Sequence, residues 1–468
     1  MRTPIAVPVL IGALFGAVST RLPVGDSDVF WQLALGRDTL ASGIQRVDAY
    51  SWTVAGRSVS IDQWLGQVAL AESWQLGAWQ GLVALRAVAI ALLVGLVVYA
   101  ALREAPARPL AAVLAALPAV VLSRFVWTER PELFGFVCFA ALVVLLRESH
   151  ERDRPLYLIP PLMILWANVH GSFALGAGLV GLVAVAGFVI EPARRRSYLL
   201  VAVATSLATL LTPAGLGAWT APGFHLLHPP REIQEWSVPD VTTLPGALFA
   251  VALFATLATA LLARSRAPRE AIVLVPVLFV SLIATRQLPF FAIAAAPYLA
   301  RYGGEAIAEL AVAIPAVIRG RLPRLSTAGR PPGRMADGVA LGAGAAILAI
   351  AMATGIGVPD VSGQPVAALG SLREGPGMFN HYDWGGYLIA SAPRTPVFID
   401  GRLTPYLDVV LREYTTVIGV HPGWREIIAQ RGIRQLLVRP TDPVAVRARD
   451  LGWPIRASSD TFVLIDVP

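Results

Sequence analysis

The chain has 468 residues, 56% of them hydrophobic and 15% charged, with a mean hydropathy of +0.63, so it is not a row of ordinary soluble domains but an integral membrane protein. Its net charge of +7 lies in arginine clusters between apolar runs, the pattern of membrane topology, and nucleic acid is excluded as a partner. The single cysteine, Cys138, sits inside an apolar run, which excludes an internal disulfide and a cysteine metal cluster.

Residues 4–20 are uncharged behind Arg2 and read as the first span, since no small-residue cleavage site follows. Further spans are expected at 80–102, 109–123, 132–146, 156–169, 171–190, 198–212, 245–263, 271–285, 287–300 and 338–357, each near the length a bilayer core demands. That makes about eleven. The spans holding Pro160-Pro161 and Pro297 are expected to kink, tilt or re-enter. Counted on alternate sides, 18 arginines fall on the Arg2 side and 8 on the other, half of these in one long loop. The positive-inside rule then places the N-terminus in the cytoplasm and the C-terminal segment outside. Arg86 falls inside the second span, where it can face a wet cavity but is expected to snorkel to the outer interface.

The inner loops are short and arginine-rich, whereas the outer segments carry acids, histidines, tryptophans and prolines. Residues 21–79 form a long first outer loop that opens with Asp26-Ser27-Asp28. Carboxylates so close to a bilayer can act as a base on an acceptor hydroxyl, or hold a divalent cation against a phosphate. Leu33, Leu35 and Leu40 at helical spacing, with Trp31, Trp52, Trp64, Trp74 and Trp79, predict a short helix lying on the membrane. The next outer turn contains Arg124, Glu129, Arg130 and Glu132, guanidiniums suited to gripping an anionic headgroup or to capping helices. A third holds Asn168-Val169-His170-Gly171-Ser172-Phe173, where glycine beside a histidine permits close approach of a ligand.

The outer segment 212–244 contains His225, His228, Glu232, Glu235 and Trp236. Pro229 and Pro230 break the helix that would align a metal set there, so a horizontal segment with acids near a cavity is expected instead. The last outer turn carries Arg286 between two apolar spans. Polar groups from several segments thus converge, in this reading, on one membrane face.

Residues 359–468 return to soluble composition and predict a small extracytoplasmic α/β domain after a membrane domain over 1–358. Strands are expected at Val397–Asp400, Gln435–Arg439 and Phe462–Asp466, and a helix at Trp424–Arg431 stopped by Gly432. The strings from Phe379 to Leu388 and from Phe398 to Arg402 set aromatic and planar polar groups beside glycines, a composition that suits sugars or a structural dock.

The long first outer loop with acids just after span one, the many spans, the outer arginines and the outward C-terminal domain resemble the GT-C superfamily of membrane glycosyltransferases, which use polyprenyl-phosphate-linked sugars. More narrowly, Asp26 to Arg37, Asp48 to Thr53, Asn168 to Phe173, Glu235-Trp236, Trp384 to Tyr387 and Val397 to Arg402 are similar to a group of bacterial multi-span proteins. The resemblance implies that Asp28 or Asp26 is the catalytic acid, as general base or metal contact. It implies a substrate-binding set drawn from Arg124, Arg130, His170, Glu235, Arg286, Asp400 and Arg402. The implied partners are membrane lipid, a polyprenyl-phosphate-linked sugar and an extracytoplasmic glycan, lipid or protein acceptor. The implied place is the bacterial inner membrane, and a divalent cation is the one cofactor candidate. Gln32 stands where the group often has a histidine, and Gln cannot titrate. A non-catalytic scaffold of the same fold and a transporter or flippase are the alternatives; the latter calls for mid-span charges and an inverted repeat.

Overall fold

The structure is a computed structural model in which residues 4–61, 63–149, 153–227, 229, 234–265, 268–312 and 334–468 are described. His228, Arg231 and Glu232 lie outside the described residues. The chain divides into two compact units, one of Met1–Leu22 with Val83–Ile356, the other of Pro23–Leu82 with Gly357–Pro468. The first outer loop, expected within the membrane domain, therefore shares a unit with the C-terminal segment.

The first unit is a helical bundle. It contains α1 (Ala6–Ser19), the second half of α3 (Trp64–Glu104), α4 (Pro109–Ser123), α5 (Glu132–Ser149), α6 (Ile159–Val169), α7 (Phe173–Ile190) and α8 (Arg195–Ala208). After these come α9 (Thr220–Leu227), α10 (Leu244–Leu262), α11 (Pro268–Ile283), α12 (Leu288–Val312) and α13 (Arg334–Ala353). Each apolar stretch expected to span is helical, and five helices among the described residues are long and apolar enough to cross a membrane. Leu207, Val251, Phe254, Leu261 and Phe279 point outward, mostly exposed. A surface of that kind needs lipid rather than water around it.

α1 and α13 run parallel. At the start of α1, Asp337 Oδ1 accepts the amides of Ile5 (2.9 Å) and Ala6 (3.1 Å), two of the donors that a helix N-terminus leaves unpaired. Near its end, Arg21 donates to the carbonyl (3.0 Å) and hydroxyl (2.6 Å) of Thr354. Gly12 admits α3 closely, since a Cβ there would stand 2.3 Å from the Ala91 carbonyl oxygen.

Arg86 does not snorkel. Its side chain is buried and ion-paired with buried Glu129, while Nη2 donates to the carbonyls of Ser19 (2.8 Å) and Leu22 (3.2 Å). Carbonyls at and just beyond a helix C-terminus have lone pairs that a guanidinium can bind, and Glu129 supplies the counter-charge that makes this burial tolerable. Where α5 ends, Arg147 meets Glu270 of α11 at 2.7 Å, and Glu191 accepts from Arg194 (3.0 Å) and Tyr198 (3.1 Å).

α3 is broken at Gly77 and Ala78, the latter at φ 46°. A Cβ on Gly81 would stand 1.8 Å from the Ser73 carbonyl oxygen, so the reversal needs glycine there.

The second unit joins α2 (Val29–Ser42) to a four-stranded sheet and the helices α14 (Gly385–Ser391), α15 (Val410–Ile418), α16 (Trp424–Arg431) and α17 (Pro443–Asp450). The strands β1 (Met378–Asn380), β2 (Gln435–Val438), β3 (Ile455–Ser458) and β4 (Val463–Asp466) lie in the order β1-β2-β4-β3. β1 pairs parallel to β2 with Phe379 opposite Leu436, and β4 pairs antiparallel to both β2 and β3. All four residues of β2 are buried, as a central strand covered on both faces requires.

The expected strands over 435–439 and 462–466 are present as β2 and β4, and the helix 424–431 ends at Gly432 with φ 63°. Val397–Asp400 is not a strand. Val397 makes a single bridge with Ser51, and beyond it the Phe398 carbonyl and amide are taken by Thr53 Oγ1 (2.6 Å) and Asn380 Oδ1 (2.8 Å). Side chains there replace a neighbouring strand. The short helix expected around Leu33–Leu40 is present as α2, and its Trp31 and Leu35 pack in a core with Trp384, Leu388, Leu437 and Leu464.

Candidate active site

In the helical unit, four turns between helices gather charge. Arg286 lies in the 3-10 turn Thr285–Gln287 that precedes α12. That turn is tied to the turn Gln234–Trp236, because Thr285 donates through its amide (2.9 Å) and hydroxyl (3.1 Å) to the Ser237 carbonyl. The guanidinium meets Glu132 Oε1 through Nε (3.0 Å) and Nη2 (2.8 Å), and Glu235 Oε1 through Nη1 (2.8 Å). It also lies 4.8 Å from the Trp236 ring centroid, within cation–π range. Arg130 reaches the other oxygen of Glu235, Oε2, at 3.4 Å.

The electrostatics follow from that ring. Burial works against the Arg286 charge, but Glu132 and Glu235 overcome it and raise the guanidinium above its ordinary value. Burial likewise raises the Glu235 carboxyl, yet Arg286 and Arg130 outweigh it and hold the group below its usual range, with His170 acting in the same sense. His170 caps α6, and its Nδ1 accepts the Ser172 amide (3.1 Å) and lies 2.8 Å from Ser172 Oγ. Ser172 Oγ in turn accepts from Trp166 Nε1 at 3.0 Å. Gly135 on α5 lets this turn approach, since a Cβ there would stand 2.5 Å from Ser172 Oγ and 3.1 Å from His170 Nδ1.

Arg130, His170, Glu235 and Arg286 are thus brought together, with Glu132 and Trp236 added to them. Arg124 is not part of the described ring. It is exposed, 5.9 Å from the Trp127 ring.

The remaining candidates belong to the second unit. Asp28 precedes α2, and its amide donates to Asp26 Oδ1 at 2.9 Å. Both acids are half-buried. The Asp28 carboxylate lies against the backbone of Gly401. Gln32 is buried, and its Nε2 donates to Gln63 Oε1 at 3.2 Å. Asp400 and Arg402 face inward as well. Arg402 binds Asp400 through Nε (2.8 Å) and Nη2 (2.6 Å), pairs with Asp48, and donates to Tyr406 Oη (2.9 Å) beneath the Tyr50 ring at 5.1 Å. Both aspartates are wholly buried and the arginine side chain is 6% exposed. Burial opposes the Arg402 charge, but Asp400 and its neighbours raise it well above its ordinary value. Asp400 and Arg402, drawn into the substrate-binding set above, thus form an internal knot with Asp48.

Among the described residues, no three His, Cys, Asp or Glu side chains gather as a metal set. Asp26 has one oxygen committed to the Asp28 amide.

No family model and no curated protein matches this chain in sequence. Solved structures do match in fold. The oligosaccharyltransferase of Archaeoglobus fulgidus, tethered by a disulfide to an acceptor peptide containing the NVT sequon, aligns over 92% of this chain and 68% of its own, with a TM-score of 0.57 and 15% identity. ArnT from Cupriavidus metallidurans, bound to undecaprenyl phosphate, aligns over 98% of this chain and 97% of its own, with a TM-score of 0.53 and 15% identity. Both are GT-C glycosyltransferases, and the chain described here has a GT-C-like fold.

Proposed function

We propose that this protein transfers a sugar from a polyprenyl-phosphate donor to an acceptor on the extracytoplasmic side of a bacterial inner membrane, which it crosses about eleven times. The observation that carries the reading is the Arg286–Glu235–Arg130 arrangement, set in a fold shared with glycosyltransferases. The parallel course of α1 and α13 supports an odd number of crossings.

The chemistry runs as follows. A donor phosphate carries oxygens able to take the guanidinium donors that Glu235 now occupies, while Glu132 stays on Arg286 as a buried anchor. Glu235 is the more exposed of the two acids, with its side chain 37% accessible against 10% for Glu132. When the bond from the anomeric carbon to the phosphate oxygen breaks, the two arginines absorb the negative charge that grows on the leaving group. The acceptor oxygen attacks that carbon and inverts it, and its proton passes to a carboxylate base, a role we assign to Asp28.

The test uses the full chain in liposomes with a panel of undecaprenyl-phosphate-linked hexoses and pentoses, and reads release of free undecaprenyl phosphate. Turnover by the wild type, lost in Asp28→Asn with expression unchanged, supports the reading. Unchanged turnover in Asp28→Asn removes Asp28 as the base, and failure of every donor removes the transferase assignment.

A further inference from the structure

The proposed acid sits against a glycine almost 400 residues further along the chain, in the same unit. A Cβ built on Gly401 would stand 2.0 Å from Asp28 Oδ1 and 3.0 Å from its Cγ. The third near atom is Trp31 Nε1 at 2.9 Å, from a buried indole whose N–H has no hydrogen-bond partner among the described residues. All three are side-chain atoms. Gly401 has no positive φ, so its backbone alone would accept alanine. What the missing side chain does here is leave room for one carboxylate.

The segment that carries Gly401 is fastened on both sides. Val397 exchanges backbone hydrogen bonds with Tyr50 and Trp52, at 3.1 Å each. Asn380 Nδ2 donates to the Ile399 carbonyl at 2.8 Å. The Arg402 amide donates to Asp400 Oδ1 at 2.9 Å, and the Arg402 guanidinium is locked between Asp400 and Asp48. Gly385 and Gly386 bring α14 onto the same place, since Cβ atoms there would stand 2.2 Å from the Ile399 carbonyl oxygen and 2.8 Å from that of Ser27.

We infer that Gly401 is a positioning residue for Asp28, and that the Asp48–Arg402–Asp400 knot serves to hold Gly401 in place. This inference rests on the reading of Asp28 as the base. The two can nonetheless fail separately, because the position of the carboxylate is measurable without turnover. Alanine at 401 meets the end of a short side chain rather than backbone, so the carboxylate turns away while the fold stays.

The experiment compares full-length wild type and Gly401→Ala in detergent, labelling carboxylates with a carbodiimide and glycine ethyl ester and reading the sites by mass spectrometry. A changed labelling rate at Asp28, with Asp26 and Asp360 unaltered and the melting temperature maintained, is the expected result. An unchanged rate at Asp28, or a parallel change at every carboxylate with a fall in melting temperature, overturns the inference. A second arm uses the undecaprenyl-phosphate donors in liposomes. Misplacing a reacting group by an ångström costs on the order of 100-fold, so kcat should fall by about 10- to 100-fold with KM for the donor unchanged. A rise in KM at constant kcat would also overturn it. Loss of turnover in Asp28→Asn belongs to the underlying reading and leaves the labelling result independent.

Discussion

Arg286 closes on a single oxygen of Glu132, with Nε at 3.0 Å and Nη2 at 2.8 Å from Oε1. Glu132 opens α5, where a negative charge also faces the positive end of the helix dipole. Removing one member of a buried pair strands the other, at a cost of about 3–5 kcal/mol. Arg286→Ala should therefore lower the melting temperature in detergent markedly, and Arg286→Ala combined with Glu132→Leu should regain most of it. A double variant that falls by the sum of the losses of Arg286→Ala and Glu132→Leu alone would show that the pair is not coupled.

Glu235 competes with the proposed ligand for the same donors. Glu235→Gln keeps the shape, removes the negative charge and leaves Arg130 and Arg286 less neutralised. Undecaprenyl phosphate should bind the variant several-fold more tightly, read by native mass spectrometry or by displacement of a fluorescent lipid phosphate. Weaker binding would mean that Glu235 holds the arginines in place instead of standing in for the ligand.

Arg86 and Glu129 make the sharper stability case, being buried on both sides. Glu129→Gln should destabilise the bundle by about 3 kcal/mol or more, whereas Arg86→Met with Glu129→Leu should lie closer to wild type. Thermal unfolding of the three proteins decides this.

The second unit should weaken in mild acid. Burial holds the His381 imidazole below its ordinary value of 6.5, against the pull of Asp383. Its Nδ1 accepts the Asp383 amide at 3.3 Å, and the ring lies 5.3 Å from Trp384. The unfolded chain thus takes up a proton at this residue before the folded one does, so stability is full above pH 6.5 and declines as pH falls through the lower folded value. His381→Asn should flatten the decline in melting temperature between about pH 7 and pH 5. An unaltered slope would assign it to other groups.

Much of the bundle was legible because uncharged apolar runs have few alternatives to helix in lipid. In the second unit, Gly432 announced the end of α16, and short apolar runs announced β2 and β4. The charges were harder. Arg130, Glu235 and Arg286 were visible as polar groups at turns, but the pairing of residue 286 with residue 132 is set by packing and no local spacing encodes it. Arg402 read as a ligand-facing cation because a glycine and aromatic rings flank it. Only the distant Asp48 and Tyr50 turn it into a core residue. Arg86 was misread for the same reason, since Glu129 and the end of α1 lie across the bundle. Gly401 gave no sign at all, because what it accommodates lies 373 positions earlier.

The hydrogen bonds from Ile5 and Ala6 to Asp337 also set an order of assembly. At roughly 5–20 residues per second, the ribosome needs on the order of half a minute to pass from one partner to the other. Throughout that interval the first helix stands in the bilayer with its entry amides awaiting their acceptor. A nascent chain arrested before residue 337 should therefore expose the first helix to lipid-phase crosslinkers, and a chain released after it should protect the same helix, so this bundle is sealed only once residue 337 has been made.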